Sequence, residues 1–521
     1  KNNKIIEETS SCKNGKWVLL KGGIDRVKFY KEGYWEKDVE VNLLVDTIAL
    51  LSKNIIGYHD KLYFSPGEEI ECKVNSGLPY MAKLFRYGID KKLTLEIENL
   101  NFQKQEISDG FDLVSEGLDW YTSFIYRVPE DVKPGLFGMQ LEDSNGEKFT
   151  IPMIVSTPGS DYGKNSNILV LASNTTWQSY NTWGGRSRYR NFRDSVSEDF
   201  LIEDTKINNI KFQIKKLIPT SIKKILKRLL KIDNHEKSWM FKKLTTKRPF
   251  VNCSLEDDNV CSPFSNHLAA AEWRVLAWLE REGIEYDFIS GFELHENGDL
   301  LSNYQQIILS SHCEYWSKGM FESLKYYHVK NKLSILNLSG NSIYREIEFD
   351  DLGQTRCVSL SFKKSHVDES TLVGVRYTGT DYGTAAPYKA IKSNHWVFNE
   401  TTISDNNLIF GQLSLNQNLL RTKKRYDPGR VGKEKGLNGV GASGWETDKL
   451  TEHSSKNCEL IAKGLNEKGG ADMIVKDFHN NSGFLFSASS ILFGGSLLID
   501  DVSSKIVKNV ISYVCKNNEK Y

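Results

Sequence analysis

The sequence predicts an α/β doubly wound domain preceded by an all-β sandwich, and three observations lead there. Up to about residue 158, short β-prone runs recur between Gly, Pro and Asn breaks. From Asn165 onward, apolar runs of strand length alternate with segments of helical periodicity. Two of those apolar runs lead straight into loops dense in Trp, Tyr, His, Glu and Arg, a composition suited to a pocket wall rather than to a core.

In residues 1–158, the segments 17–20, 61–64, 69–74 and 92–97 are strand candidates. Polar and apolar residues alternate in 123–128 and 138–142, and Pro66-Gly67 and Pro134-Gly135 mark turns. An immunoglobulin/lectin-like sandwich is expected, joined to the rest by Thr157-Pro-Gly-Ser160. In residues 159–521, Ile168-Leu-Val-Leu-Ala172 is apolar throughout, as a strand buried on both faces must be. A helix over 266–282 carries Leu268, Ala271, Val275, Trp278 and Leu279 at helical spacing, with Gly283 to stop it. A strand at 286–289, a strand at 306–310, a helix at 317–330 and a strand at 333–338 follow. Residues 346–470 read as a mixed insertion, 471–475 and 483–487 as a closing hairpin, and 502–516 as a final helix. The order is of βαβ type and predicts a flavodoxin/amidotransferase-like domain. Ligands of such sheets bind beyond the carboxyl ends of the strands.

Bulk properties bound the function. A chain of 521 residues is too long for one core, and a formal charge of +1 gives no general attraction to nucleic acid. Eight cysteines without Cys-x-x-Cys spacing argue against a zinc site of the usual kind and favour a reducing compartment. No stretch reaches the roughly 18–20 apolar residues that span a bilayer. The chain opens Lys-Asn-Asn-Lys, with neither Met nor an apolar signal region, so an upstream leader stays open. A cytoplasmic protein is expected. One stretch departs from the pattern: within a basic insertion at about 200–247, residues 206–231 interleave aliphatics with lysines. Ile222, Ile225, Leu226, Leu229 and Leu230 share one helical face, and Lys223, Lys224, Lys227 and Lys231 the other. Such a helix suits peripheral contact with an anionic membrane, or docking as an ordinary surface helix.

The chemistry concentrates in two clusters. Residues 174–189 hold Trp177, Tyr180, Asn181, Trp183, a Gly184-Gly185 turn, Arg186 and Tyr189, all after the strand 168–172. Ser311-His-Cys-Glu-Tyr-Trp316 follows the strand 306–310, and Asn341 follows 333–338. Tyr180, Tyr189 and Glu314 offer three oxygen ligands once the phenols ionise. A free phenol has a pKa near 10, so ionising two at neutral pH needs a strong, hard cation such as Fe(III). Such a metal polarises a carbonyl and acidifies water. If residues 310–314 stay extended, His312 and Glu314 face one side, and His312 can move protons. The same residues equally suit a plain alternative, in which the tyrosines are wall or core aromatics and Glu314 pairs with an arginine. Cys313 is open to two readings as well: an inert buried thiol, or a nucleophile served by a distant histidine (His267, His295, His395 or His479).

These residues match a family pattern. The loop 174–189 resembles the signature loop of the N,N-dimethylformamidase large (beta) subunit family, and 311–317 resembles its His-x-Glu-Tyr-Trp-Ser motif. Leu338-Ser-Gly-Asn-Ser-Ile-Tyr344, His395-Trp-Val-Phe398 and the terminal segment from Ala471-Asp-Met through 486–490 are similar to further motifs. The resemblance covers about 165–521 and implies a mononuclear Fe(III) amidohydrolase. Its metal ligands fall on Tyr180, Tyr189 and Glu314, and the catalytic residues on His312 and Glu314. Asn181, Trp177, Trp183, Asn341 and Arg186 are the expected substrate-binding residues. The expected partner is a small amide or N-acylated substrate, handled by a homo-oligomer without nucleic acid. The basic insertion departs from the family pattern. A rival expectation is a non-catalytic, carbohydrate-handling protein associated with surface polysaccharide and using the same pocket, or a Cys313 thiol hydrolase.

Overall fold

The computed structural model describes residues 26–40, 48–108, 112–189, 240–253, 255–262, 267–351, 353–359, 361–365, 367–416, 441–478 and 482–517. The basic segment 206–231 and His479 lie outside the described residues. Among the described residues no helix is long and apolar enough to cross a membrane.

After a short hairpin, Arg26–Phe29 with Lys37–Glu40, two sheets face each other. One has five strands in the order Tyr63–Phe64, Lys148–Val155, Gly135–Asp143, Tyr80–Tyr87, Lys91–Leu100. The other has three: Ile56–Tyr58, Glu69–Asn75 and Phe124–Arg127. Alternation does the sorting. In Glu69–Asn75 the residues Ile70, Cys72 and Val74 point inward and meet Leu84, Met139, Ile151 and Met153 of the facing sheet. Gly67, at φ +77°, makes the turn that the Pro-Gly pair predicts.

The second half is built on one nine-stranded sheet. Its order is Asp287–Ser290, Ile168–Ala172, Gln306–Ser311, Ser334–Ser339, Leu485–Ser487, Asp472–Lys476, Glu459–Gly464, Tyr388–Ala390, Ile409–Phe410. The first five strands run parallel, and each later neighbour pair is antiparallel. This corrects the expected fold class, because among the described residues no doubly wound α/β domain is formed. The sheet is mixed, and among the described residues strand exceeds helix. Among the described residues only Ala269–Arg281, Lys318–Lys330 and Asp501–Asn517 exceed two helical turns. The misreading has a physical cause. Continuous apolar runs identify strands buried on both faces, but they carry no information on the direction of their neighbours. The strands that the segment between 345 and 476 adds to the large sheet, all between 388 and 476, are antiparallel to their neighbours and need no crossover helix.

One face of the sheet packs on Ala269–Arg281 and Asp501–Asn517, and the other on Lys318–Lys330. The upstream sheets are fastened to this unit by buried contacts. Trp273 meets Tyr87 edge-on at 4.9 Å, and Arg86 Nη2 lies 2.5 Å from Glu280 Oε1.

His59 lies sealed between the upstream sheets, with Nε2 3.2 Å from Tyr126 Oη and Nδ1 unpartnered. Burial lowers its pKa to about 3, from an ordinary 6.5. The folded state therefore keeps it neutral while the unfolded chain binds a proton below 6.5, and stability falls as pH drops from 6.5 towards 3. Melting temperature followed from pH 7 to pH 4 is expected to fall less steeply for His59→Phe than for the wild type. Parallel curves would show that His59 does not drive the acid limb.

A candidate metal centre at the strand ends

The site begins where Ile168–Ala172 ends and the short helix Asn174–Tyr180 starts. This helix is docked through its threonines. Thr175 Oγ1 donates to Tyr315 O at 2.9 Å, and Thr176 Oγ1 accepts from Glu314 N at 3.2 Å. The first cluster is thereby tied to the second, with Tyr180 at the helix end aimed at Glu314.

The loop that follows doubles back through Gly184 and Gly185, at φ +85° and +91°. Two buried arginines fix it, Arg248 through the loop's own carbonyls and Arg188, on the loop itself, through carbonyls of neighbouring segments. Arg248 donates to Trp183 O at 2.6 Å and to Asn181 O at 3.3 Å, and Arg188 donates to Met240 O at 2.7 Å and to Thr355 O at 3.0 Å. Burial, with Arg186 and Arg188 nearby, lowers the Arg248 guanidinium to about 9. This scaffold brings Tyr189 back beside Tyr180, their ring centroids 4.2 Å apart.

Glu314 is the meeting point. Its Oε2 lies 3.5 Å from Tyr180 Oη and accepts a short hydrogen bond from Tyr189 Oη. Its Oε1 accepts from Arg345 Nε at 2.9 Å. Tyr315 Oη donates to Tyr189 Oη at 3.0 Å. His312 Nε2 stands 3.3 Å from Glu314 Oε2 and 3.4 Å from Glu446 Oε2, aligned as a hydrogen bond with neither. The Ser310–Glu314 segment does not stay extended: Ser311 takes φ +52°. His312 and Glu314 nonetheless share the site, while Cys313 turns into the core beside Leu171 and Leu309.

Charge is balanced inside this enclosure. Burial disfavours the Glu314 carboxylate, but His312 and Arg345 outweigh it and hold its pKa below the ordinary value. Burial pulls His312 down, and Glu314 and Glu446 more than offset that and raise it to about 9. Burial and then the Glu314 charge push Tyr180 and Tyr189 well above an ordinary phenol. Both phenols therefore stay protonated unless a cation takes the protons' place. An all-oxygen donor set of this kind suits a hard cation. Among the described residues no group of three His, Cys, Asp or Glu side chains is arranged to hold a metal ion.

The structure thus brings together Tyr180, Tyr189, His312, Glu314 and Asn341, the last joined through Glu446, whose Oε2 accepts from Asn341 Nδ2 at 2.8 Å. Four expected substrate contacts lie elsewhere. Trp177 is in the core and donates its indole N–H to Glu272 Oε1 at 2.9 Å. Trp183 packs edge-on against Trp120 of the upstream region, 6.3 Å between ring centroids. Asn181 donates to Pro249 O at 2.9 Å and caps its helix. Arg186 pairs with Asp112 at 3.1 Å. Cys313 has Ser173 Oγ at 2.9 Å and Ser310 O as its polar contacts, and burial pushes its thiol up to about 12, so no base is poised to activate it.

Sequence reasoning missed Arg345, Glu446, Trp445 and the placement of His267. His267 stacks on Trp445 at 4.8 Å and stands edge-on to Tyr180 at 5.2 Å. Nothing local in Gly444-Trp-Glu446 sets these residues apart from an ordinary turn.

A profile of the N,N-dimethylformamidase beta subunit-like family, C-terminal part, matches residues 83–505. The chain belongs to that family. Every residue of the candidate site described above lies inside the matched segment. The match begins within the strand Tyr80–Tyr87, upstream of the 165 expected from motifs, and ends at 505 rather than 521. The early start is consistent with the packing, since Arg86 and Tyr87 are the residues that clasp the helix Ala269–Arg281. No curated protein sequence matches the chain.

If Trp177 acts through the core, Trp177→Phe removes a donor from a buried carboxyl and should cost about 1–3 kcal/mol. Chemical denaturation measures this. Wild-type stability in the variant would contradict the placement of the indole.

Proposed function

We propose that this chain hydrolyses the C–N bond of a small amide or N-acyl compound, with a single Fe(III) held by Tyr180, Tyr189 and Glu314. One observation carries the reading: three oxygens from three separate segments converge on one point, with Arg345 occupying the far side of the carboxylate. The donor set fits the ion. Two protonated phenols donating to one buried carboxylate form the arrangement expected when two protons stand where a highly charged cation binds. Bound there, the ion would supply Lewis acidity towards the carbonyl and towards water.

The remaining work falls to the chain's own side chains. His312, cationic between two carboxylates, is positioned to give a proton to the departing amine nitrogen. Glu446, 3.4 Å from His312, accepts the proton that the attacking water loses and returns it through the imidazole. Atoms balance in this scheme: water supplies the acyl oxygen and one hydrogen, and the amine leaves with the other. Tyr315 and Arg345 fix the orientation of the phenol and carboxylate. His267 and Trp445 form an aromatic wall beside Tyr180.

Purified protein is expected to contain about one iron per chain, with a visible phenolate-to-iron absorption band. Tyr180→Phe and Tyr189→Phe should each weaken or shift that band, and Glu314→Gln should abolish iron retention, with amide hydrolysis falling by at least about 100-fold, in line with the weight of electrostatic contributions to catalysis. Iron-free wild-type protein that hydrolyses amides at full rate, or a Tyr180→Phe variant with an unchanged spectrum, would defeat the proposal.

A further inference from the structure

The upstream region carries a groove that the metal centre does not use. Its volume is about 670 Å³, within the range of small-ligand sites. Half-buried Trp35 lines it together with Leu51 and Ile107, and these three pack on the cluster of Tyr58, Leu113, Leu118 and Trp120. Trp183 of the metal-centre loop rests on the same cluster, so the apolar base of the groove is tied into the body of the protein. The indole is fixed in its plane. Its Nε1 donates to Asn75 Oδ1 at 2.9 Å, and Asn75 is itself anchored by donating to Ser52 O at 2.8 Å. Tyr30, largely exposed, adds a second ring to the lining.

Cations gather over the indole. Lys53 Nζ lies 5.3 Å from the ring centroid and Lys104 Nζ 5.9 Å. Among the described residues neither ammonium has a carboxylate partner. The other charges of the lining are mostly spent: Lys28 pairs with Glu36, Arg26 with Asp38, and Lys37 Nζ donates to Ile107 O at 2.7 Å. Glu106 is the third acid of the lining.

Three requirements on a ligand follow. A fixed aromatic face takes a flat apolar surface, such as the C–H face of a pyranose ring. Two unpaired ammoniums over that face call for an anion and turn away a cation. Glu36, Asp38 and Glu106 accept hydrogen bonds, which hydroxyl groups donate. The same three carboxylates repel a chain of phosphates, so a nucleic-acid strand fits less well.

We propose that this groove binds a carboxylated saccharide, with a sugar ring on Trp35, its acid on Lys53 and Lys104, and its hydroxyls on the lining carboxylates. None of the lining residues belongs to the metal centre, and binding here is independent of what that centre hydrolyses.

Isothermal titration calorimetry on the full chain tests this with short oligomers of galacturonate, mannuronate and hyaluronan. The carboxyl-reduced, neutral form of each serves as control, and a thymidine oligonucleotide as the nucleic-acid probe. At least one acidic oligomer is expected to bind at least about tenfold more tightly than its neutral form, with the preference shrinking at high salt. Lys53→Ala with Lys104→Ala should bring that preference below about threefold. Trp35→Ala should weaken acidic and neutral oligomers alike, by about tenfold or more. If Trp35→Ala fails to fold, the lysine variant still decides, because both lysines are exposed. Four results would overturn the proposal: no binding of any acidic oligomer, equal binding of acidic and neutral forms, tighter binding of the oligonucleotide, or a preference unchanged in the lysine variant.

Discussion

The buried carboxylate of Glu314 is the constraint on which the architecture of the site depends. A charge with no solvent access has to be met by cations and donors, or it neutralises or unfolds its surroundings. Here the partners come from distant parts of the chain: Arg345 from the strand Arg345–Phe349, Tyr180 from a helix end, Tyr189 from the loop that doubles back, and His312 from the turn after Gln306–Ser311. The threonines of Asn174–Tyr180 dock the helix, Arg248 pairs loop carbonyls that would otherwise be buried unpaired, and Arg188 ties the loop to Met240 O and Thr355 O.

Backbone strain gathers in the same place. Ser311, Asn341, Ile343, Trp445 and Ser489 all take left-handed φ values without being glycine. Ser311 ends one strand and Asn341 follows the adjacent parallel one, and Trp445 and Ser489 come from the segments bridged by Thr447 and Ser490. Asp448 offsets part of the cost by accepting two backbone N–H groups of the strained Asn341 turn, although burial pushes its own carboxyl up to about 7. Strain of this kind persists only where the surroundings over-determine it, which is the condition of a preorganised site.

Legibility in the sequence followed the range of the interactions. Tyr180, Tyr189, His312 and Glu314 sit in short motifs directly after apolar strands, so their convergence was foreseeable from local order and a parallel sheet edge. Arg345 and Glu446 act through contacts 31 residues away and across the molecule, and nothing local marks them as partners of Glu314 and His312. Trp177 and Asn181 misled for the opposite reason. They share the aromatic, polar loop composition of the site, but helix geometry turns Trp177 onto Glu272 and Asn181 onto Pro249. Composition identifies a loop as functional, whereas the direction of each side chain within it depends on dihedrals that composition does not encode.

The direction of the sheet was the other feature hidden from sequence, and it bears on function. A wholly parallel sheet would crown its carboxyl edge with βα loops from consecutive units alone. In the mixed sheet the chain after Arg345 instead turns back on itself, and short ribbons form: Ala385–Ala386 with Ser443–Gly444, and Arg376–Tyr377 with Asp448–Lys449. These ribbons flank the segment after Leu485–Ser487, through the Thr447–Ser490 bridge, and so carry Trp445, Glu446 and Asp448 onto the edge where Glu314 and Asn341 emerge. The parallel half supplies the three oxygens, and the antiparallel half supplies the second carboxylate facing His312 and the clamp on Asn341. Neither half contains the whole constellation, so the departure from a doubly wound fold is what completes the site.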